Sequence, residues 1–207
     1  MTLLPGFTAG LLLITLSELG DKTFFIGLIL ATRHPRRWVF LGVMAALVAM
    51  TILSVLIGQV ATIFPQHYVK GIAVALFIGC GIKLLYDALR MSGKDSLADE
   101  QAEALDAVKQ REQNITAWSV RAVLMEAFTL TFIGEWGDRT QFATITLAAS
   151  NNPYGVVLGA ILGHTICAAI AVACGKLIAG RLSERLITAL GGGLFIIFGI
   201  IAAIEMA

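Results

Sequence analysis

This chain is short of charge. Asp, Glu, Lys and Arg make up 14% of its 207 residues, against about 25% in soluble domains. Together with 57% hydrophobic residues and a mean hydropathy of +0.84, that deficit excludes an ordinary soluble domain and predicts an integral membrane protein. The net charge of +1 carries no argument for a nucleic-acid partner. Cysteine is scarce as well. Cys80, Cys167 and Cys174 are odd in number, lie in apolar runs and form no CxxC pair, so neither a disulfide framework nor a thiolate metal site is implied; packing roles are expected. No Gly-x-x-x-x-Gly-Lys-Ser/Thr loop occurs, which leaves ATP-driven pumping by this chain without a phosphate cradle. The start of the chain lacks a basic n-region, and its first apolar run contains Glu18 and Asp21. A retained helix is therefore expected there, not a cleaved signal peptide.

What the chain does have is six apolar runs, at about 6–30, 38–64, 69–90, 121–149, 154–179 and 185–206. Each reaches the roughly 20 residues that a helix needs to cross a bilayer, so the fold class expected is all-α with six transmembrane helices. The longest break, at about 92–120, is rich in Asp, Glu, Gln and Lys. It reads as an acidic linker with a solvated face rather than a cation sensor, holding at most a short surface helix on Leu97, Leu105 and Val108. Basic residues crowd breaks one, three and five and the helix ends beside them, including Arg33, Arg36, Arg37, Arg90, Lys94, Arg121, Lys176, Arg181 and Arg185, whereas breaks two and four hold only Lys70. The positive-inside rule then puts the first set in the cytoplasm and both termini outside. Trp38, Tyr68, Tyr86, Trp118 and Tyr154 fall at span ends, where amphipathic rings prefer to sit.

The few charges that do occur inside the apolar runs are duplicated. Ser17–Phe25 reads SELGDKTFF and Gly134–Phe142 reads GEWGDRTQF. Glu18 maps to Glu135, Asp21 to Asp138, Thr23 to Thr140, Gly42 to Gly159 and Gly58 to Gly175, all at one offset of 117 residues (135 less 18). The chain thus divides into repeat one at 1–91, the linker at 92–120 and repeat two at 121–207. Three spans per repeat force the second copy to enter from the opposite side, the inverted-repeat plan of many secondary transporters, whose site lies near the midplane. Ionisable groups at that depth are costly and point by default to a substrate or ion pathway.

If each motif is continuous helix, residues three apart share a face, and each aspartate is offset from its glutamate by about 4.5 Å along the axis. A ladder of four carboxylates across the midplane is then expected. Gly20 and Gly137 leave room for close approach or for local unwinding, and Thr23, Thr140 and Gln141 can add neutral oxygens. Oxygen donors favour hard cations such as Ca2+, Mg2+ or Mn2+. Four carboxylates with Lys22 and Arg139 leave two negative charges, which one divalent cation or two protons would neutralise. Proton-coupled exchange follows as a hypothesis, with the carried ion as substrate, no cofactor, and no enzymatic activity.

The motifs ELGDKT and EWGDRTQ, in a six-span chain with an acidic central loop, resemble those of the Golgi and bacterial calcium/manganese transporters called transmembrane-protein-165-like or Gdt1-like. The resemblance covers nearly the whole chain, including the Gly163-His164 step. It implies a Ca2+/Mn2+:H+ antiporter that exports the cation from the cytoplasm, with Glu18, Asp21, Glu135 and Asp138 as the cation site. The short chain without an N-terminal extension suggests a bacterial inner membrane.

Other readings stand beside this one. Glu18 with Lys22 and Glu135 with Arg139 are spaced for ordinary helix ion pairs. Lys22 and Arg139 either tune or gate the carboxylates, or tie the repeats together through cross-motif pairs. His164 is either a proton relay or a packed histidine, and Glu126 reads as interfacial, paired with Arg121. A six-span exporter of an organic cation such as a basic amino acid is the alternative function, and an oligomer is compatible with either.

Overall fold

A computed structural model describes residues 2–90, 96–112, 119–178, 184–204 and 206. Lys94, Trp118 and Arg181, used above for orientation, lie outside the described residues. The elements are α1 (Leu3–Glu18), α2 (Lys22–Arg33), α3 (Arg36–Ala61), α4 (Gln66–Arg90), α5 (Ser96–Glu112), α6 (Val120–Gly134), α7 (Arg139–Ser150), α8 (Pro153–Ile178) and α9 (Glu184–Ile204). Helix is the only regular structure among the described residues.

Among the described residues three helices are long and apolar enough to cross a membrane: α3, the 67–90 part of α4, and the 153–173 part of α8. α1 and α2 together pass the same test but are bent by 64° at the break between them, the form of a broken span or of a re-entrant loop, so the count is three spans, or four with this pair. The expectation of continuous first and fourth spans is corrected here, since α1 gives way to α2, and α6 to α7, at the two acidic motifs. The 117-residue offset reappears in the helix bounds: α2 and α7, and α3 and α8, begin and end at matching positions. So do their caps, with the His34 N–H donating to the Leu30 carbonyl at 2.8 Å and the Asn151 N–H to the Leu147 carbonyl at 2.8 Å.

The helices pack as α1 on α8, α3 on α6 and α4 on α9, with α3 also lying against α7 and α8. Glycine sets the first two crossings. A Cβ on Gly159 of α8 would strike the Phe7 carbonyl oxygen of α1, and one on the matching Gly42 of α3 would sit 2.8 Å from the Leu124 carbonyl oxygen of α6. Interiors this close have no space for a methyl group. The same backbone-to-backbone approach is thus built twice, and it fixes the broken helices against the unbroken ones.

The linker departs most from expectation. α5 does not lie free as a solvated face: it packs along α2, and Ala104 and Val108 are fully buried in one apolar cluster with Phe25, Leu30 and Val39. Leu105 packs against the same cluster, whereas the side chain of Leu97 lies outside the described residues. Burying a valine side chain stabilises by about 1.5–3 kcal/mol, enough to hold a helix whose other faces are charged.

Candidate cation site

Each motif is a break between two helices, and glycine explains why. Gly20 has φ 83° and Gly137 φ 80°, in the left-handed region that costs a side-chain-bearing residue roughly 1–2 kcal/mol and glycine almost nothing. The turn is closed the same way in both copies: the Asp21 N–H donates to the Glu18 carbonyl at 3.3 Å, and the Asp138 N–H to the Glu135 carbonyl at 3.2 Å. Glu18 therefore ends α1 and Glu135 caps α6, while Asp21 and Asp138 stand at the N-caps of α2 and α7. The expected ladder on continuous helix faces is replaced by turns that point carboxylates from two helix ends into one place.

Oxygens from Glu18, Asp21 and Glu135 all lie within 4.8 Å of one another. The two glutamates are 3% and 4% exposed, so neither is held charged by bulk water. Thr23 Oγ1 donates to Glu18 Oε2 at 3.2 Å, and Thr140 Oγ1 lies 3.3 Å from Glu135 Oε2 and 3.0 Å from Asp138 Oδ2, its one proton shared between the two carboxylates. The remaining oxygens, Glu18 Oε1 and Glu135 Oε1, are buried with no hydrogen-bond partner among the described residues. Buried polar atoms are nearly always satisfied, and an unpartnered pair of carboxylate oxygens in one spot is suited to a cation or to protons. Oxygens on opposite sides of an ion coordinated at 2.3–2.6 Å are at most about 5 Å apart, so the three carboxylates are close enough to share one.

The two copies differ in what their charged residues do. Arg139 Nη2 donates to Asp21 Oδ1 across the motifs at 2.6 Å. Asp138 stands outside the three-carboxylate group and instead caps α7, accepting from the Thr140 N–H at 3.1 Å and from Thr140 Oγ1 at 3.0 Å. Lys22 pairs with neither motif; its Nζ lies 3.1 Å from Glu103 Oε2 on α5. The helix pairs Glu18–Lys22 and Glu135–Arg139 are accordingly not made, because the break removes the spacing they require. Gln141 is also engaged, its Oε1 accepting from the Gly137 N–H at 2.7 Å, so it braces the second turn.

His164 of α8 is 5% exposed and lines two small cavities, one reaching Glu18 and Thr23, the other Glu135 and Thr140. The second is also lined by Thr51 and Ser54 of α3, which the sequence reading did not single out. Their hydroxyls donate to the Leu47 and Met50 carbonyls at 2.8 and 2.7 Å, leaving the oxygens free to accept or to ligate. Two hydroxyls three apart in an otherwise apolar span were the available signal. Glu126 is enclosed by the protein, 1% exposed, with Oε2 3.9 Å from His34 Nε2. Glu100 of α5 sits close enough to the site that burial, with the Asp21 carboxylate next, pushes its carboxyl up to about 7.

The chain has clear relatives. The family described as divalent cation/proton antiporter GDT1 matches residues 6–92 and 123–207. A GDT1-like protein of Synechocystis, sll0615, is 55% identical over 203 residues, covering 97% of each chain. GDT1-like protein 5 of Arabidopsis thaliana is 42% identical, covering 96% of this chain and 95% of its own, and GDT1-like protein 5 of Oryza sativa subsp. japonica is 38% identical, covering 97% and 95%. No solved structure matches. A membrane chain whose two duplicated motifs converge on shared carboxylates is thus similar over nearly its whole length to these proteins, and it belongs to the GDT1 family of divalent cation/proton antiporters.

Proposed function

We propose that this chain exports Mn2+ or Ca2+ from the cytoplasm in exchange for protons, at a site formed by Glu18, Asp21 and Glu135, with Asp138 as a fourth carboxylate that joins during the cycle. The observation that supports this most is the convergence of carboxylates from two chain segments 117 residues apart within 4.8 Å. Thr23 and Thr140 hold the glutamates, Thr51 and Ser54 supply neutral oxygens, and Gln141 braces the turn. His164, between the two cavities, is placed to pass protons.

Charge sets the exchange. Three carboxylates beside one Arg139 leave two negative charges, so a divalent cation and a pair of protons are alternative fillings of the same group. Neither binds while the other occupies it. In this reading the chain is a six-span protein of two inverted repeats, with α1–α2 and α6–α7 as broken spans meeting at the midplane. The basic residues place the α2 half toward the cytoplasm and both termini outside, in a bacterial inner membrane.

Proteoliposomes loaded with a cation-sensitive dye decide the substrate. Mn2+ or Ca2+ should move and lysine should not. Lysine flux without divalent flux would overturn the proposal in favour of an organic-cation exporter.

A further inference from the structure

The two motifs are matched residue for residue, yet their charged residues occupy different states. Asp21 is drawn away from capping its own helix, with no side-chain cap bond on α2, and pairs with Arg139. Asp138 caps α7 through the Thr140 N–H. Lys22 is the sequence match of Arg139, so the symmetric counterpart of the Arg139–Asp21 pair is Lys22–Asp138. That pair is not among the ion pairs of the described residues. Lys22 has been taken by Glu103, on a helix with no counterpart in the second repeat and outside the span that the family description matches.

We propose that α5 is the gate on the α2 side of the site, and that Glu103 and Asp138 compete for Lys22. With Lys22 on Glu103, α5 stays seated along α2 and covers the route from that side. When Lys22 crosses to Asp138, Arg139 releases Asp21, Asp21 takes up the capping role that Asp138 has left, and α5 loses its tether. The exchange makes each motif adopt the arrangement its match had before, as alternation between two inverted halves requires. Glu103 is thus a positioning residue: it keeps a competing ammonium away from the carboxylates while the gate is shut.

The energies suit a gate. Side-chain exposures of 35% and 65% for Lys22 and Glu103 make this a weak, exchangeable pair. Ala104 and Val108, both fully buried, provide the seat to which α5 returns. Glu100, one turn from Glu103, is near enough to Asp21 and Arg139 to be coupled to both electrostatically.

The inference rests on the transport reading for its purpose, but its test does not need flux. In a background with Cys80, Cys167 and Cys174 replaced by serine, Ala104→Cys reports the seat through its rate of reaction with a membrane-impermeant maleimide added to inside-out vesicles containing Mn2+. Glu103→Gln should raise that rate about two- to fivefold, the scale of an exposed ion pair. Asp138→Asn, which removes the competitor, should lower it. Opposite directions for two carboxylate-to-amide changes distinguish competition from general loosening; shifts in the same direction, or no shift in either, overturn the proposal. Absence of flux in the unaltered chain would overturn the transport reading and leave the labelling rates to decide α5.

Discussion

Glu18→Gln or Glu135→Gln is expected to reduce Mn2+ or Ca2+ flux to background while the protein still inserts and folds. The reason lies in the burial and the partners. Each glutamate is almost wholly enclosed, with one oxygen in reach of a threonine hydroxyl and the other without a partner among the described residues. Glutamine keeps the shape and can still accept the threonine hydrogen bond, so the fold has little to lose. What disappears is one negative charge beside the ion. A unit pair at 4 Å in an effective dielectric of 20 is worth roughly 4 kcal/mol, about a thousandfold in affinity. The measurement is uptake against cation concentration, and the loss should appear first as weakened affinity. Near-normal flux in both variants would make the glutamates structural.

Arg139→Gln should fail in the opposite sense. The guanidinium offsets one of three carboxylates by pairing with Asp21 at 2.6 Å, and without it the group carries three negative charges. The cation then binds at least as tightly but leaves slowly, so maximal flux should fall about tenfold, equivalent to about 1.4 kcal/mol in the barrier, with no rise in the concentration needed for half-maximal flux. Breaking a buried ion pair by removing one partner costs about 3–5 kcal/mol in full enclosure. Arg139 is about one-third exposed and Asp21 less so, so a smaller loss of stability is expected. Arg139→Lys, which keeps the charge without the planar fork, should recover part of the rate. A weakened affinity in Arg139→Gln would contradict this role and place the arginine on the side of holding the ion.

Much of the candidate site was legible because duplication made it so. Glu18, Asp21, Glu135 and Asp138 stood out against apolar surroundings, and the offset that relates them also predicts the matching bounds of α2 with α7 and of α3 with α8. The path of the chain through them was not legible. Periodicity treats Glu18 and Asp21 as neighbours on one helix face, whereas a glycine at positive φ turns that face into a corner. Gly20 was the signal, and its spacing is equally compatible with close helix packing.

The asymmetry between the copies lies beyond any reading of the sequence, because matched residues carry no mark of which state they occupy. Arg139 makes the cross-motif pair and Lys22 does not, although both have the same place in their motifs. The docking of α5 was hidden for a different reason. Its buried positions are Ala104 and Val108; Val108, with Leu97 and Leu105, already marked a weak apolar face, but Ala104 adds little to that stripe, and nothing in the spacing says that the face is covered by α2. Glu126 was read from its place near the end of α6, and its enclosure beside the end of α2, next to the His34 side chain, has no mark in the sequence.

The most direct test of coupled exchange uses one set of proteoliposomes carrying both a cation-sensitive and a pH-sensitive dye. A Mn2+ or Ca2+ gradient imposed without a pH gradient should drive protons in the opposite direction, in step with the cation and with the same dependence on its concentration, and both signals should vanish together in Glu18→Gln. Cation entry that leaves lumenal pH unchanged, or that is indifferent to an imposed proton gradient, would contradict the claim that a divalent ion and protons fill the same carboxylates in turn.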